Sequence, residues 1–181
     1  VATTATSASP ATTYDIVPSS ADDANYTIVF ENGTLTVTPA PLTIRPMGAS
    51  RLYGATNPTF AGIYMTFKNG DAESALDTPP TFSTTATPAS PVAGYAITAS
   101  GAADVNYTIS FEAGNLDVTP VPLTITAVNT IRLYGADNPT FTSTYMGFVN
   151  GDMEASLDTP PSYSTSAGPT SGVDAYTVTP S

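Results

Sequence analysis

Apolar and polar residues alternate along several short runs of this chain. Leu42-Thr43-Ile44 and Leu123-Thr124-Ile125-Thr126 do so, as do Tyr107-Thr108-Ile109-Ser110-Phe111 and Leu116-Asp117-Val118-Thr119. Tyr95-Ala96-Ile97-Thr98 is another such run, with Tyr14 and Tyr176 at the corresponding places. A period of two suits a strand with one face buried and one face wet. Glu112-Ala113-Gly114-Asn115 lies between two of these runs, and Glu31-Asn32-Gly33-Thr34 has the same setting earlier. Both read as hairpin turns. One segment departs from strand patterning. Asn69-Gly70 makes a turn, Asp71 is placed to cap, and Ala72-Glu73-Ser74-Ala75-Leu76 has room for a turn or two of helix before Pro79-Pro80 stops it. Asn150 to Leu157 repeats the segment and Pro160-Pro161 repeats the stop. A helix this short is not stable alone, so Leu76 and Leu157 are expected to anchor it on a sheet.

These correspondences have one cause, a gapless repeat. Residues 41–100 and 122–181 are identical at 34 of 60 positions, and residues 1–40 match 82–121 at 23 of 40, both at an offset of 81. Self-similarity at a fixed period marks an array of modules. Thr38-Pro39-Ala40-Pro41 and Thr119-Pro120-Val121-Pro122 fall between a last strand and the next first strand. Alternating prolines favour a stiff, extended connector, so the boundaries are placed there. Residues 1–40 are then the C-terminal half of a module, 41–121 a complete module, and 122–181 the N-terminal three-quarters of the next. The chain reads as a window on a longer array. The fold class expected is mainly β, in tandem modules of about five strands with one short helix. If the first and last strands of a module lie side by side and parallel, the arrangement is β-grasp-like; a small β-sandwich is the alternative. The expected core is Leu42, Ile44, Leu52, Phe60, Tyr64, Phe67, Leu76, Phe82, Tyr95, Ile97, Tyr107, Ile109, Phe111, Leu116 and Val118.

Composition narrows the function. Fifteen acidic residues face four basic ones (Arg45, Arg51, Lys68, Arg132), for a net charge of −11. Binding to nucleic acid rests on Lys and Arg displacing counterions from phosphates, and attraction to an anionic membrane surface needs the same residues. Neither partner is expected. Membrane insertion of this segment is not expected either, for no run approaches the ~20 apolar residues of a membrane helix. With no His, no Cys and one Lys, nucleophilic triads, thiol chemistry and His-based metal sites have no residues to work with. Paired carboxylates can hydrolyse glycosides, but a module of 81 residues offers little room for the deep cleft they need. The chain is not expected to be an enzyme. Thr, Ser, Ala and Pro are abundant while basic residues are scarce, which reads as an extracellular composition.

A few residues invite a site. Asp71, Glu73 and Asp77 cluster, as do Asp152, Glu154 and Asp158. Calcium takes several carboxylate oxygens, and such an ion could stiffen the array. The spacing matches neither the EF-hand loop nor the glycine-rich calcium solenoid, and the plain alternative is that Asp71 caps the helix while Glu73 favours its positive end. No cofactor is expected beyond that calcium candidate. Asp22-Asp23 reads as a solvated loop. Asn25, Asn32 and Asn106 head Asn-x-Thr triplets, which fit N-glycosylation or Asn as a turn residue entering a strand. Lys68 suggests an intramolecular lysine–asparagine crosslink, but its counterpart is Val149. Tyr53 and Tyr134, each before a glycine, would either stack on a sugar ring or pack over their own turn.

Tyr53-Gly54-Ala55-Thr56-Asn57-Pro58-Thr59-Phe60 resembles the MBG repeats of the YGX type, found in large bacterial surface and adhesin-like proteins. The supporting order is Pro41-Leu42-Thr43-Ile44, Phe67-Lys68-Asn69-Gly70-Asp71, Gly94-Tyr95-Ala96-Ile97, Asn106-Tyr107-Thr108-Ile109 and Gly114-Asn115-Leu116-Asp117-Val118-Thr119. The resemblance covers the whole chain as part, whole and part of three repeats. Ala175 stands where Gly94 stood, a departure that weakens any need for glycine there. What the resemblance implies is a repetitive extracellular stalk or adhesin region, with no catalytic residues to carry over. The leading expectation is therefore a structural stalk segment at the cell surface, with neighbouring repeats as its partners. A multivalent glycan- or matrix-binding module is the second, and lateral or end-to-end self-association into a filament the third.

Overall fold

A computed structural model describes residues 1–181. The chain is mainly β, in thirteen short strands. No helix in it is long and apolar enough to cross a membrane. It divides into two compact units, one of residues 1–50, 58–86 and 94–117, the other of 51–57, 87–93 and 118–181.

In the first unit, β1 (Thr13–Ile16) and β2 (Gly33–Thr36) form an antiparallel pair. A three-stranded sheet follows, in the order β5-β3-β8. Its centre is β3 (Ala40–Pro46), antiparallel to β5 (Gly62–Met65) and parallel to β8 (Tyr107–Phe111). The next sheet runs β4-β9-β7-β6, formed by β4 (Ala49–Leu52), β6 (Thr81–Thr84), β7 (Gly94–Ser100) and β9 (Gly114–Thr119). Seven strands thus build two sheets where about five in one were expected. The first strand of the repeat does run parallel to a late one, but its partner is the next-to-last strand, β8.

The reason lies at two corners. The pattern predicts a hairpin at Glu112-Ala113-Gly114-Asn115. Instead β8 and β9 belong to different sheets, and the chain steps across between them. β3 and β4 make the same step at Met47-Gly48. At the crossing the Glu112 N–H donates to the Ile44 carbonyl at 3.0 Å.

Alternation decides what is inside. Leu42 and Ile44 of β3 are fully buried with Leu76 and Tyr107, while Ile97 and Leu116 are buried with Ala86; Phe82 packs on both groups. Each fully buried aliphatic side chain stabilises by about 1.5–3 kcal/mol before entropy is subtracted. All eight buried apolar residues fall between Leu42 and Val118, within the middle repeat. Two expected core residues are corrected: Leu52 is 47% exposed and Phe111 is 40% exposed. In β4 the inward position belongs to Arg51, so Leu52 turns outward, and Phe111 stands at the end of β8. The expected short helix is a single 3-10 turn, Glu73–Ala75, anchored by Leu76 as anticipated.

The second unit repeats pieces of the first. β10 (Thr124–Ala127) pairs with β11 (Ser143–Met146), and β12 (Tyr163–Ser164) with β13 (Thr179–Pro180). A second 3-10 turn covers Glu154–Ser156. Register follows the sequence period: Thr43 faces Met65 as Thr124 faces Met146, and Phe82 faces Ala99 as Tyr163 faces Pro180. The offset also relates Thr13 and Thr36 to Gly94 and Asp117.

Candidate functional site

The acidic segments sit on the Asn-Gly turns. Asn69 and Gly70 have φ of 54° and 80°, and Asn150 and Gly151 have 55° and 80°. Asn and Gly are the residues that take this left-handed region at least cost, so the turn recurs. Asp71 follows it but does not cap. The residue preceding the 3-10 turn is Ala72, without a side-chain cap, and the Asp71 Oδ2 instead accepts from the Tyr107 hydroxyl at 2.6 Å. The same hydroxyl accepts the Lys68 N–H at 2.9 Å. Burial, with the bond to Asp71 next, holds the Tyr107 pKa above its usual value. Asp71 thus ties the turn to β8 across the core edge.

The other carboxylates have separate surroundings. Asp77 Oδ2 accepts the Val105 N–H at 3.1 Å. Glu73 lies beside Tyr64, whose pKa is raised by burial first and by this carboxylate second. Glu154 lies likewise beside Tyr145, pushed up to about 12 by the same causes in the same order. Both hydroxyls are shut from solvent, each facing its glutamate. Asp152 donates its N–H to the Val149 carbonyl at 2.9 Å, and Asp158 is exposed. No group of three or more carboxylates is arranged to hold a metal ion.

The Tyr-Gly turns are built on arginine, a feature the sequence reading passed over. Arg51 is 7% exposed. Its Nε donates to Asn57 Oδ1 at 2.7 Å, Nη1 to the Leu52 carbonyl at 3.1 Å, and Nη2 to the Thr87 carbonyl. Arg132 repeats this: Nε to Asn138 Oδ1 at 2.9 Å, Nη1 to the carbonyls of Leu133 and Ala136 at 3.3 and 3.1 Å, and Nη2 to that of Gly168. A rigid fork of donors suits several fixed carbonyls at once. The signal was available: Arg51-Leu52-Tyr53-Gly54 and Asn57 recur as Arg132-Leu133-Tyr134-Gly135 and Asn138.

The remaining candidates scatter. Asn25 and Asn32 are exposed, while Asn106 is half-buried with its Oδ1 accepting the Ala11 N–H at 2.8 Å. Lys68 is exposed and its counterpart Val149 is half-buried. Tyr53 is half-buried, whereas Tyr134 is 70% exposed. A concavity lined by Met153, Glu154, Ala155, Leu157 and Pro160 offers one carboxylate among mostly apolar side chains.

The family model described as the MBG domain (YGX type) matches residues 1–36, 42–117 and 123–181. No curated protein and no solved structure matches the chain.

Proposed function

Because the chain belongs to the MBG domain family of the YGX type, whose repeats occur in surface proteins, we propose that it is a structural stalk segment of an extracellular adhesin or surface fibre. Its role is to extend and present distal elements. The module boundaries go with this reading: one complete module at 41–121 between parts of two others. The observation that carries it is the repeat of strand register at the sequence period. Identical pairing in successive copies supports a unit used for length. Chemistry does not depend on such copies, and the carboxylates here face tyrosines and backbone N–H groups. We take the segment to be non-catalytic and to lie at the cell surface. Its partners in this reading are neighbouring repeats. The acidic surface keeps arrays apart in solution.

Small-angle scattering on polypeptides of two, three and four repeats is the test. Maximum dimension rises in equal steps with repeat number if the modules string out. A slow, globule-like rise defeats the stalk.

A second reading is a multivalent glycan-binding module that uses the aromatic ring beside each Tyr-Gly turn, Tyr53 and Tyr134. Aromatic faces of this kind stack on sugars, and repetition would make weak sites effective. A glycan array probed with the chain separates the two. Binding that is lost in Tyr134→Ala supports the glycan module; a blank array leaves the stalk.

A further inference from the structure

The Tyr-Gly turn at Gly54 is occupied. Gly54 has φ +85°, and a Cβ added to it would lie 2.6 Å from Val149 Cγ2 and 2.8 Å from Val149 Cβ. The next residue of that turn also docks: Asn150 Nδ2 donates to the Pro88 carbonyl at 3.1 Å. The Gly54 N–H donates to this same carbonyl at 3.1 Å. All four residues lie in the second unit. Gly54 and Pro88 come from the middle repeat, and Val149 and Asn150 from the one that follows it.

We infer that the Tyr-Gly-x turn is a docking socket for the Val-Asn turn of the succeeding repeat, and that this contact fixes the joint between them. Three observations bear on it. The socket is filled where a succeeding repeat is present: Gly54 is half-buried, with Val149 Cγ2 2.6 Å from where its Cβ would stand. The knob itself is half-buried at Val149, although Asn150 and Gly151 after it are exposed. The socket is also built in advance. Arg132 grips Gly168 and Asn138 just as Arg51 grips Thr87 and Asn57, although Gly135 is bare. A surface held ready in both copies fits a partner, and the partner seated here is an apolar side chain followed by an amide donor. The glycine therefore serves twice, through its left-handed backbone and through the space its missing Cβ leaves. Gly135 is the socket for a further Val-Asn or Lys-Asn turn of the same family.

This deepens the stalk reading, and it is testable apart from it. The chain has no cysteine, so Val92→Cys with Val173→Cys, both within the second unit, gives a unique pair for spin labels in the full chain. Both positions are exposed. The expected result is one narrow distance distribution, broadened about twofold in Val149→Asp, because small polar contacts between domains permit relative motion. Val149→Ile retains the narrow distribution. Gly54→Ala is read alongside, but its strain on the turn makes Val149→Asp the deciding variant. A distribution already broad in the parent chain, or unchanged in Val149→Asp, overturns the joint. Neither outcome bears on whether length grows with repeat number, so the stalk reading stands or falls by scattering alone.

Discussion

Gly114 lies so close to Pro46 that a Cβ on it would stand 2.5 Å from the Pro46 carbonyl oxygen and 2.9 Å from the Pro46 Cβ. This is the corner where β8 gives way to β9 beside the end of β3. The counterpart Gly33 has no such neighbour: a Cβ there would meet only Ile16, at 3.7 Å and beyond. Gly114→Ala is therefore expected to destabilise by about 1–3 kcal/mol, the usual cost of overpacking. Gly33→Ala is expected to stay within about 0.5 kcal/mol. Denaturant melts of the two variants compare them directly, and equal effects would remove the corner from the account.

Arg51→Lys should cost about 1–3 kcal/mol although it keeps the charge. Lys cannot reach Asn57, Leu52 and Thr87 with one planar fork, and hydrogen bonds to charged groups are each worth about 1.5–3 kcal/mol. Leu52→Ala, next to it and facing outward, should cost far less. Thermal melts of both variants check the inversion. A larger loss at Leu52 would mean that leucine is the inward residue.

Alkali should unfold the chain through its tyrosines. Tyr64, Tyr107 and Tyr145 all have raised pKa values, with Tyr145 at about 12. A raised folded-state value means that the native protein holds the phenolic proton more tightly than the unfolded chain. Stability from this source is then complete below about pH 10, the unfolded value, and declines as pH climbs through the folded values. Phenolate absorbance should show a late group of tyrosines, Tyr64, Tyr107 and Tyr145, ionising together with unfolding. A single step near the ordinary value, with the melting temperature level throughout, would contradict this.

Calcium should leave stability alone. Asp71 and Asp77 accept hydrogen bonds from Tyr107 and Val105, and Glu73 and Glu154 sit by tyrosine rings. A ligand at a hundredfold excess over its dissociation constant adds about 2.7 kcal/mol, several degrees for a small domain. Melting with calcium and with chelator should differ by less than that. A shift of that size would turn the acidic turns into a ligand set.

Residues 41–121 should fold alone and residues 1–40 should not. Every buried apolar side chain lies within the longer piece. In the shorter one Tyr26 and Val29 are 75% and 80% exposed. Circular dichroism melts of both fragments decide the module boundaries. A cooperative transition in the short fragment would shift the phase of the repeat.

The sequence by itself determined the period, the strands over residues 42–44, 95–98, 107–111 and 116–119, and most of the core. Alternation at Leu42 and Ile44, and at Tyr95 and Ile97, is a local property, and one buried face is enough to impose it. Asn-Gly and Pro-Pro punctuate the chain through their own backbone preferences. Tertiary structure decided the rest, because it turns on partners distant in the chain. Asn25-Tyr26-Thr27-Ile28 is identical to Asn106-Tyr107-Thr108-Ile109, yet only the second enters a strand. The strand it pairs with, β3, belongs to its own repeat, and residues 1–40 contain no such first strand. Glu112 to Asn115 reads as a hairpin by composition, but the packing of Gly114 on Pro46 makes it a step between sheets. Leu52 was expected in the core, but Arg51 holds the inward position. Their places are exchanged because the oxygens gathered round the guanidinium satisfy its donors and offset part of the cost of burying it, and no local pattern shows where such oxygens will gather.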